Sequence, residues 1–413
     1  MIEICREATA YLWIEGLRRQ ARDRVIEERV REIVEKVRLG RDEVLRELAE
    51  RFGDPEPRRL SPEEYLLSPP EPEVRELLKR AAANIGRFAE AVAASVQPVR
   101  VESGPVVAGM RMRPVESVAC YAPGGRHPLP STVLMTGLAA RAAGVEKVSI
   151  VCPSPHPAVL YAAHLVKADA VYLMGGAQAV AAVAFGTDTF EKVDMVVGPG
   201  NAYVTEAKRQ LQGVIGIDML AGPSEVTILA DEGANPAWVA ADLLAQAEHD
   251  PMARVSLVTW SEELAVAVSS ELKRLVTEVT VPDFLEESLG RSALLVLSSE
   301  EECVAAVNSI APEHLQVAVA EPERFRERLR HYGGLFMGYR STVPFGDYMA
   351  GPNHTLPTGG TARFSAGLSP LTFLRPQCWM EAVGELDELA QDTAAFAELE
   401  GLHGHAAAAR ARL

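Results

Sequence analysis

The chain has 413 residues, 48% of them hydrophobic and 24% charged, with a formal net charge of −16. At roughly 100–200 residues per domain, the length predicts two large domains plus smaller pieces, and the composition predicts a buried core rather than wholesale disorder. The negative charge argues against a nucleic-acid partner, but not against an anionic cofactor, because backbone N–H groups and helix N-termini hold phosphates locally.

In chain order, residues 1–52 read as helical, with Val25, Ile26, Val30, Ile33, Val34 and Val37 recurring at helical spacing between Arg and Glu residues. Residues 53–57 and 68–72 are breaks, and 73–95 are helical again. From about residue 115 short apolar strands alternate with Ala-rich helices. SVACYA reads as a strand ending at Pro123-Gly124-Gly125, followed by a helix over 131–143. KVSIVCP precedes a helix over 157–167, AVYLMG a helix over 179–185, and MVVGPG a helix over 202–212. This alternation predicts an α/β fold with a parallel doubly wound sheet and ligands at the carboxyl ends of its strands. A second α/β set follows, in which EVTILAD, RVSLVTW and ALLVLSS are the strands and 235–248, 261–277 and 299–309 the helices. Residues 341–369 are Gly/Pro-rich, a long loop of the kind that carries function, and 379–413 read as a helical tail.

Five cysteines, Cys5, Cys120, Cys152, Cys303 and Cys378, are odd in number and never spaced C-x-x-C. That argues against a disulfide framework or a cysteine zinc cage and for a reducing, cytoplasmic compartment. The opening MIEICREATA lacks the basic-then-apolar order of a signal peptide, and no apolar run reaches the ~18 residues of a membrane span.

Four groups of residues carry candidate chemistry. In LLAQAEHDP, Gln246 and His249 lie three apart on a predicted helix and share a face, a geometry that suits a metal but is more often structural. In APEHL, Glu313 and His314 are two adjacent bases, which a solvated helix N-terminus would equally explain. Asp347 and His354 fall in GDYMAGPNHTLPTGG, where Asp beside Gly is also an ordinary turn signal. Glu400 and His405 fall in EGLHGH, beside the confusable His403, and a solvated helix end is the plain reading. The Gly-rich turns YAPGG and GPGN both follow strands and would let a cofactor approach backbone amides, yet neither is the G-x-G-x-x-G fingerprint.

Taken in order, YAPGG with PSTVLM, GGAQAVAAVAFGT, VVGPGNAYVTEAKRQ, IDMLAGPSEV, DLLAQAEHDP, APEHL, GDYMAGPNHTLPTGGTARFSAGLS and EGLHGH resemble the histidinol dehydrogenase family from about residue 120 to 405. The resemblance implies two Rossmann-like, incomplete α/β domains with N-terminal helices and a helical tail exchanged in a homodimer with shared active sites. It divides the chain into an N-terminal helical segment at 1–15, a catalytic domain at 16–120 plus 227–368, an NAD-binding domain at 121–226 and a tail at 369–413. One zinc ion per subunit would be held by Gln246, His249, Asp347 and His405. Glu313 and His314 match the catalytic pair, and Ser224, His354 and Glu400, with Gln246, His249, His314, Asp347 and His405, match positions around the substrate. Tyr121, Gln178 and Asn201 match NAD-contacting positions.

The activity implied is zinc-dependent, NAD-linked, four-electron oxidation of L-histidinol to L-histidine through an aldehyde. His314 would take the alcohol proton, Glu313 would activate water, and Glu400 would accept from the substrate's imidazole. The chain departs from the family's usual residues at His127, around Leu138-Ala139, at Ala89 and in VVAGMRMRP. These lie near the cofactor region and the substrate mouth, so the alternative is a paralogous zinc/NAD dehydrogenase acting on another small alcohol such as dihydroxypropane sulfonate. A non-catalytic scaffold would have lost the Glu313/His314 pair, and a metallohydrolase would not need Tyr121, Gln178 and Asn201.

Overall fold

The computed structural model describes residues 2–17, 23–124 and 128–413. Gly125 of YAPGG and the Arg126-His127 departure lie outside the described residues.

Among the described residues, two six-stranded sheets and one three-stranded sheet organise the fold. The first sheet is parallel throughout, in the order Glu3–Arg6, Ala293–Val296, Arg254–Thr259, Glu225–Ala230, His314–Ala318, Gly334–Met337. In the second, Ala170–Leu173, Lys147–Cys152, Ser117–Tyr121, Met195–Val197 and Gly216–Ile217 run parallel, and Arg58–Leu60 adds an antiparallel edge to Ala170–Leu173. Both are wound from a central strand outwards in both directions, as the strand–helix alternation predicts, and apolar side chains fill both faces of each sheet.

The N-terminus corrects the helical reading. Residues Glu3–Arg6 form an edge strand of the first sheet, and helix Ala8–Leu17 packs on helix Glu300–Ile310. Helix Arg24–Phe52, which bends at Arg41 where φ is 47°, packs on the second sheet's helices Gly176–Phe185 and Ala202–Leu211. Helix Pro72–Ala94 packs on Pro130–Ala143. Residues 24–94, which the sequence division groups with 227–368, therefore cover the second sheet. Their apolar stripes fit either sheet, so helical periodicity carries no information about which sheet they cover.

The third sheet is absent from the sequence reading. Val99–Ser103, Val106–Pro114 and Leu374–Ala382 pair antiparallel, and nearly all their residues are exposed or half-exposed. Residues 379–382 belong to this strand, so the helical tail starts later, at Asp387–Leu399 and His403–Arg410. A strand with Pro376 and no buried face has no period-two pattern to reveal it. The two tail helices pack on each other through Ala394, Ala397 and Ala406, while Phe396 and Leu399 stand 64% and 83% exposed. Among the described residues, no helix is long and apolar enough to cross a membrane.

Candidate active site

Strand His314–Ala318 begins immediately after Pro312-Glu313. The pair therefore opens a strand rather than a helix, which removes the solvated helix-end reading of APEHL. It also lies at the amino ends of the first sheet's strands, not the carboxyl ends expected of a doubly wound sheet. The connection from Gly216–Ile217 to Glu225–Ala230 supplies the reason, because it leaves the carboxyl end of one sheet and enters the amino end of the other. The two ends then face one cleft. Loop 353–360 crosses it: Asn353 donates to the Met135 carbonyl at 2.8 Å on one side, and Gly359 N–H donates to Glu225 Oε1 at 2.9 Å on the other.

Both members of the pair are held by the backbone of one residue, Glu225. The Glu225 backbone N–H donates to Glu313 Oε2 at 2.8 Å, and the Glu225 carbonyl accepts from His314 Nδ1 at 3.1 Å. A proton on Nδ1 leaves the His314 Nε2 lone pair free. That atom is buried with no hydrogen-bond partner among the described residues, 3.7 Å from Asp347 Oδ1. Burial lowers the His314 pKa to about 4, so the ring is neutral and basic at the free nitrogen. Burial, and secondarily the nearby carboxylates of Glu225 and Asp347, raises Glu313 well above the ordinary range.

Asp347 sits near the end of helix Val343–Tyr348, within the loop expected to carry function. Burial raises its pKa to about 7, and no hydrogen-bond donor among the described residues reaches its carboxylate. His354 uses both ring nitrogens, Nδ1 to the Asp347 carbonyl at 3.0 Å and Nε2 to Thr132 Oγ1 at 3.4 Å, and burial lowers its pKa to about 4. Gln246 is buried in the last turn of helix Pro236–Ala247. His249 lies just past the helix end rather than on its face, in a turn closed by its N–H to the Gln246 carbonyl at 3.3 Å. The residue as a whole is exposed, yet loss of hydration against the surrounding protein disfavours the charged ring and lowers its pKa. Ser224 precedes strand Glu225–Ala230, its carbonyl fixed by the Arg254 N–H at 3.1 Å.

One chain does not complete the expected metal set. Among the described residues, no group of three or more His, Cys, Asp or Glu side chains is placed to hold a metal ion. Glu400 and His405 instead line one shallow groove on the tail with Phe396 and Leu402. The donors on the cleft side nevertheless suit a cation: Asp347 is a buried carboxylate without a donor, and His249 is held neutral, the form that ligates.

The cofactor-type positions gather at the carboxyl end of the second sheet. Tyr121 ends its strand, and its hydroxyl accepts from Gly176 N–H at 3.0 Å. Gln178, in the first turn of helix Gly176–Phe185, donates to Asp54 Oδ2 at 3.3 Å. Asn201 caps helix Ala202–Leu211 by accepting from Tyr203 and Val204 N–H, which leaves its amide donors outward. Gly198 has φ +109°, and a Cβ there would meet the Tyr121 carbonyl oxygen at 2.2 Å, so this turn admits only glycine. Below it the buried Lys208–Asp218 pair, 2.7 Å apart, binds the Gly198 carbonyl and N–H respectively.

Sequence reasoning missed Glu225, Asp54 and Asp242. The Asp242 carboxylate accepts from Gln316 Nε2 at 2.7 Å and Thr342 Oγ1 at 2.6 Å, linking the helix of Gln246, the strand of His314 and the helix of Asp347. Only Glu225, beside Ser224 in GPSEV, carried a sequence signal, since it abuts a strand start in a Gly-rich turn.

The family model described as histidinol dehydrogenase matches residues 17–413. The chain is 43% identical over 391 residues to a histidinol dehydrogenase of Methanosarcina barkeri, covering 92% of this chain and 90% of that one. It is 44% identical over 397 residues to that of Methanothermobacter thermautotrophicus, covering 93% and 92%. A crystal structure of histidinol dehydrogenase from Elizabethkingia anophelis superposes with a TM-score of 0.91 at 33% identity, covering all of this chain and 98% of that one. On these matches, the chain belongs to the histidinol dehydrogenase family.

Proposed function

We propose that the chain oxidises L-histidinol to L-histidine through the aldehyde, passing two hydrides to NAD. The observation that carries this is His314 Nε2, a neutral, buried base that, among the described residues, has no hydrogen-bond partner and stands beside a carboxylate without a donor. A paralogous activity on dihydroxypropane sulfonate has no observation in its favour, since the similar proteins above are named histidinol dehydrogenases.

Gln246, His249 and Asp347, with His405, would hold a zinc ion, which would supply Lewis acidity at the alcohol, and NAD would supply the hydride acceptor. Gln246 is neutral, which keeps the ligand charge low. His314 Nε2 takes the hydroxyl proton as the first hydride leaves, and its bond to the Glu225 carbonyl keeps the ring in the accepting tautomer. Glu313 removes a proton from water attacking the aldehyde; burial raises its proton affinity above that of an ordinary carboxylate. Loss of the second hydride from that hydrate gives the carboxylate. His354, tied to Asp347 and Thr132, frames the substrate side with Ser224, and Glu400 accepts from the substrate's imidazole. Tyr121, Gln178 and Asn201 line the NAD crevice.

The tail supports an exchanged homodimer. Its Phe396 and Leu399 are uncovered, and Glu400 and His405 have no place in their own chain's cleft. In this reading 121–226 is the core of the NAD-binding unit, 227–368 the core of the catalytic unit and 369–413 the exchanged tail. All five cysteines are free thiols, in keeping with a cytoplasmic enzyme.

The test is to count NADH per L-histidinol consumed by the zinc-loaded protein, beside a Glu313→Gln variant. Two NADH with histidine as product, falling towards one with aldehyde in the variant, is the expected result. No NADH from histidinol would overturn the reading.

A further inference from the structure

Doubly wound sheets that bind dinucleotides usually place a carboxylate at the end of the second strand, where it accepts from the adenosine ribose hydroxyls. Here the second strand of the winding is Lys147–Cys152, and Pro153-Ser154-Pro155-His156 follow it, with no acid. A carboxylate reaches the same edge from outside the sheet. Asp54 follows the left-handed Gly53 that ends helix Arg24–Phe52, and its N–H donates to the Ala49 carbonyl at 2.9 Å, so its backbone is fixed.

Three observations tie Asp54 to the cofactor crevice. Its Oδ2 accepts from Gln178, which starts the helix leaving strand Ala170–Leu173. Its charge is felt at the Tyr121 hydroxyl, which itself holds Gly176. Its second oxygen, Oδ1, has no partner among the described residues, and the side chain is only half-buried, so it is open to a ligand hydroxyl. Among the described residues no lysine or arginine acts on it, whereas a site for a 2′-phosphate would need one.

We propose that Asp54 reads the adenosine ribose and selects NAD over NADP: its Oδ1 accepts from the ribose hydroxyls, and its charge repels a 2′-phosphate. This rests on the NAD-linked reading above.

The test is calorimetric titration of the zinc-loaded full-length protein with ADP-ribose and with its 2′-phosphorylated form, which removes hydride chemistry from the readout. The expected preference for ADP-ribose is about tenfold or more, because a half-buried acceptor loses its hydroxyl partner and meets a like charge. In Asp54→Ser, ADP-ribose should bind roughly tenfold more weakly and the preference should fall at least about tenfold. Asp54→Asn, nearly the same shape without the charge, should narrow the preference through better binding of the phosphorylated form. Melting temperatures and zinc contents equal to wild type establish that the variants are folded. An unchanged preference in both variants, with wild-type NADH production intact, overturns the role of Asp54 and leaves the NAD reading standing. A wild-type protein that binds neither compound and forms no NADH overturns both.

Discussion

Replacing Asp347 by Asn isolates the cost of holding a buried carboxylate without a donor. Burial raises its pKa from 3.8 to about 7, and the side chain is only 14% exposed. Below pH ~4 the group is neutral in folded and unfolded chains alike and costs nothing. Between pH ~4 and ~7 the unfolded chain is ionised and the folded chain protonated, so stability falls as pH rises; above ~7 the loss is complete. Three pKa units at ~1.36 kcal/mol each amount to about 4 kcal/mol. For 413 residues, an unfolding entropy of ~2.1 cal/mol/K per residue gives about 0.9 kcal/mol/K, hence a melting shift of about 5 °C. Chelator-treated Asp347→Asn should therefore melt about 5 °C above wild type at pH 8 and level with it at pH 4. Added zinc should reverse the order, since the variant lacks a ligand. Scanning calorimetry from pH 4 to pH 8 checks this. A metal-free variant that melts at or below wild type at pH 8 would refute the reasoning.

Other outcomes follow from the same geometry. His314→Gln should lower the turnover of histidinol by about 10²–10⁴-fold while zinc content, measured by mass spectrometry, stays at the wild-type level. Asp347→Asn and His405→Ala should each be inactive, yet equal mixing after subunit exchange should restore about a quarter of wild-type activity, because half the dimers are mixed and each has one intact site. No recovery would show that each tail serves its own chain. Asp242→Ala strands Thr342 and Gln316 and should cost about 3 kcal/mol in denaturant unfolding, with zinc affinity about 10–100-fold weaker; Asp242→Asn should recover part of both.

The strand–helix alternation from residue 115 to 310 was legible because both sheets are buried on both faces. Their strands therefore read as largely apolar runs such as Val148–Cys152 and Val226–Ala230. The ordered motifs also named the family, since a motif records residue types at positions that chemistry constrains. What local pattern could not supply was anything set by partners far apart in sequence. The third sheet pairs Leu374–Ala382 with Val106–Pro114, exposed strands with no periodicity of their own. The Glu225 backbone bonds Glu313 and His314 from 88 and 89 residues away, and Asp54 meets Gln178 from 124 residues away. The sequence alone determined which groups could do chemistry and that two wound sheets would carry them. Only the tertiary structure decided that the amino ends of one sheet face the carboxyl ends of the other, and that burial leaves His314 neutral and Asp347 and Glu313 proton-hungry. Facing ends and buried charge arise from long-range packing and lost hydration, which no local window of sequence encodes.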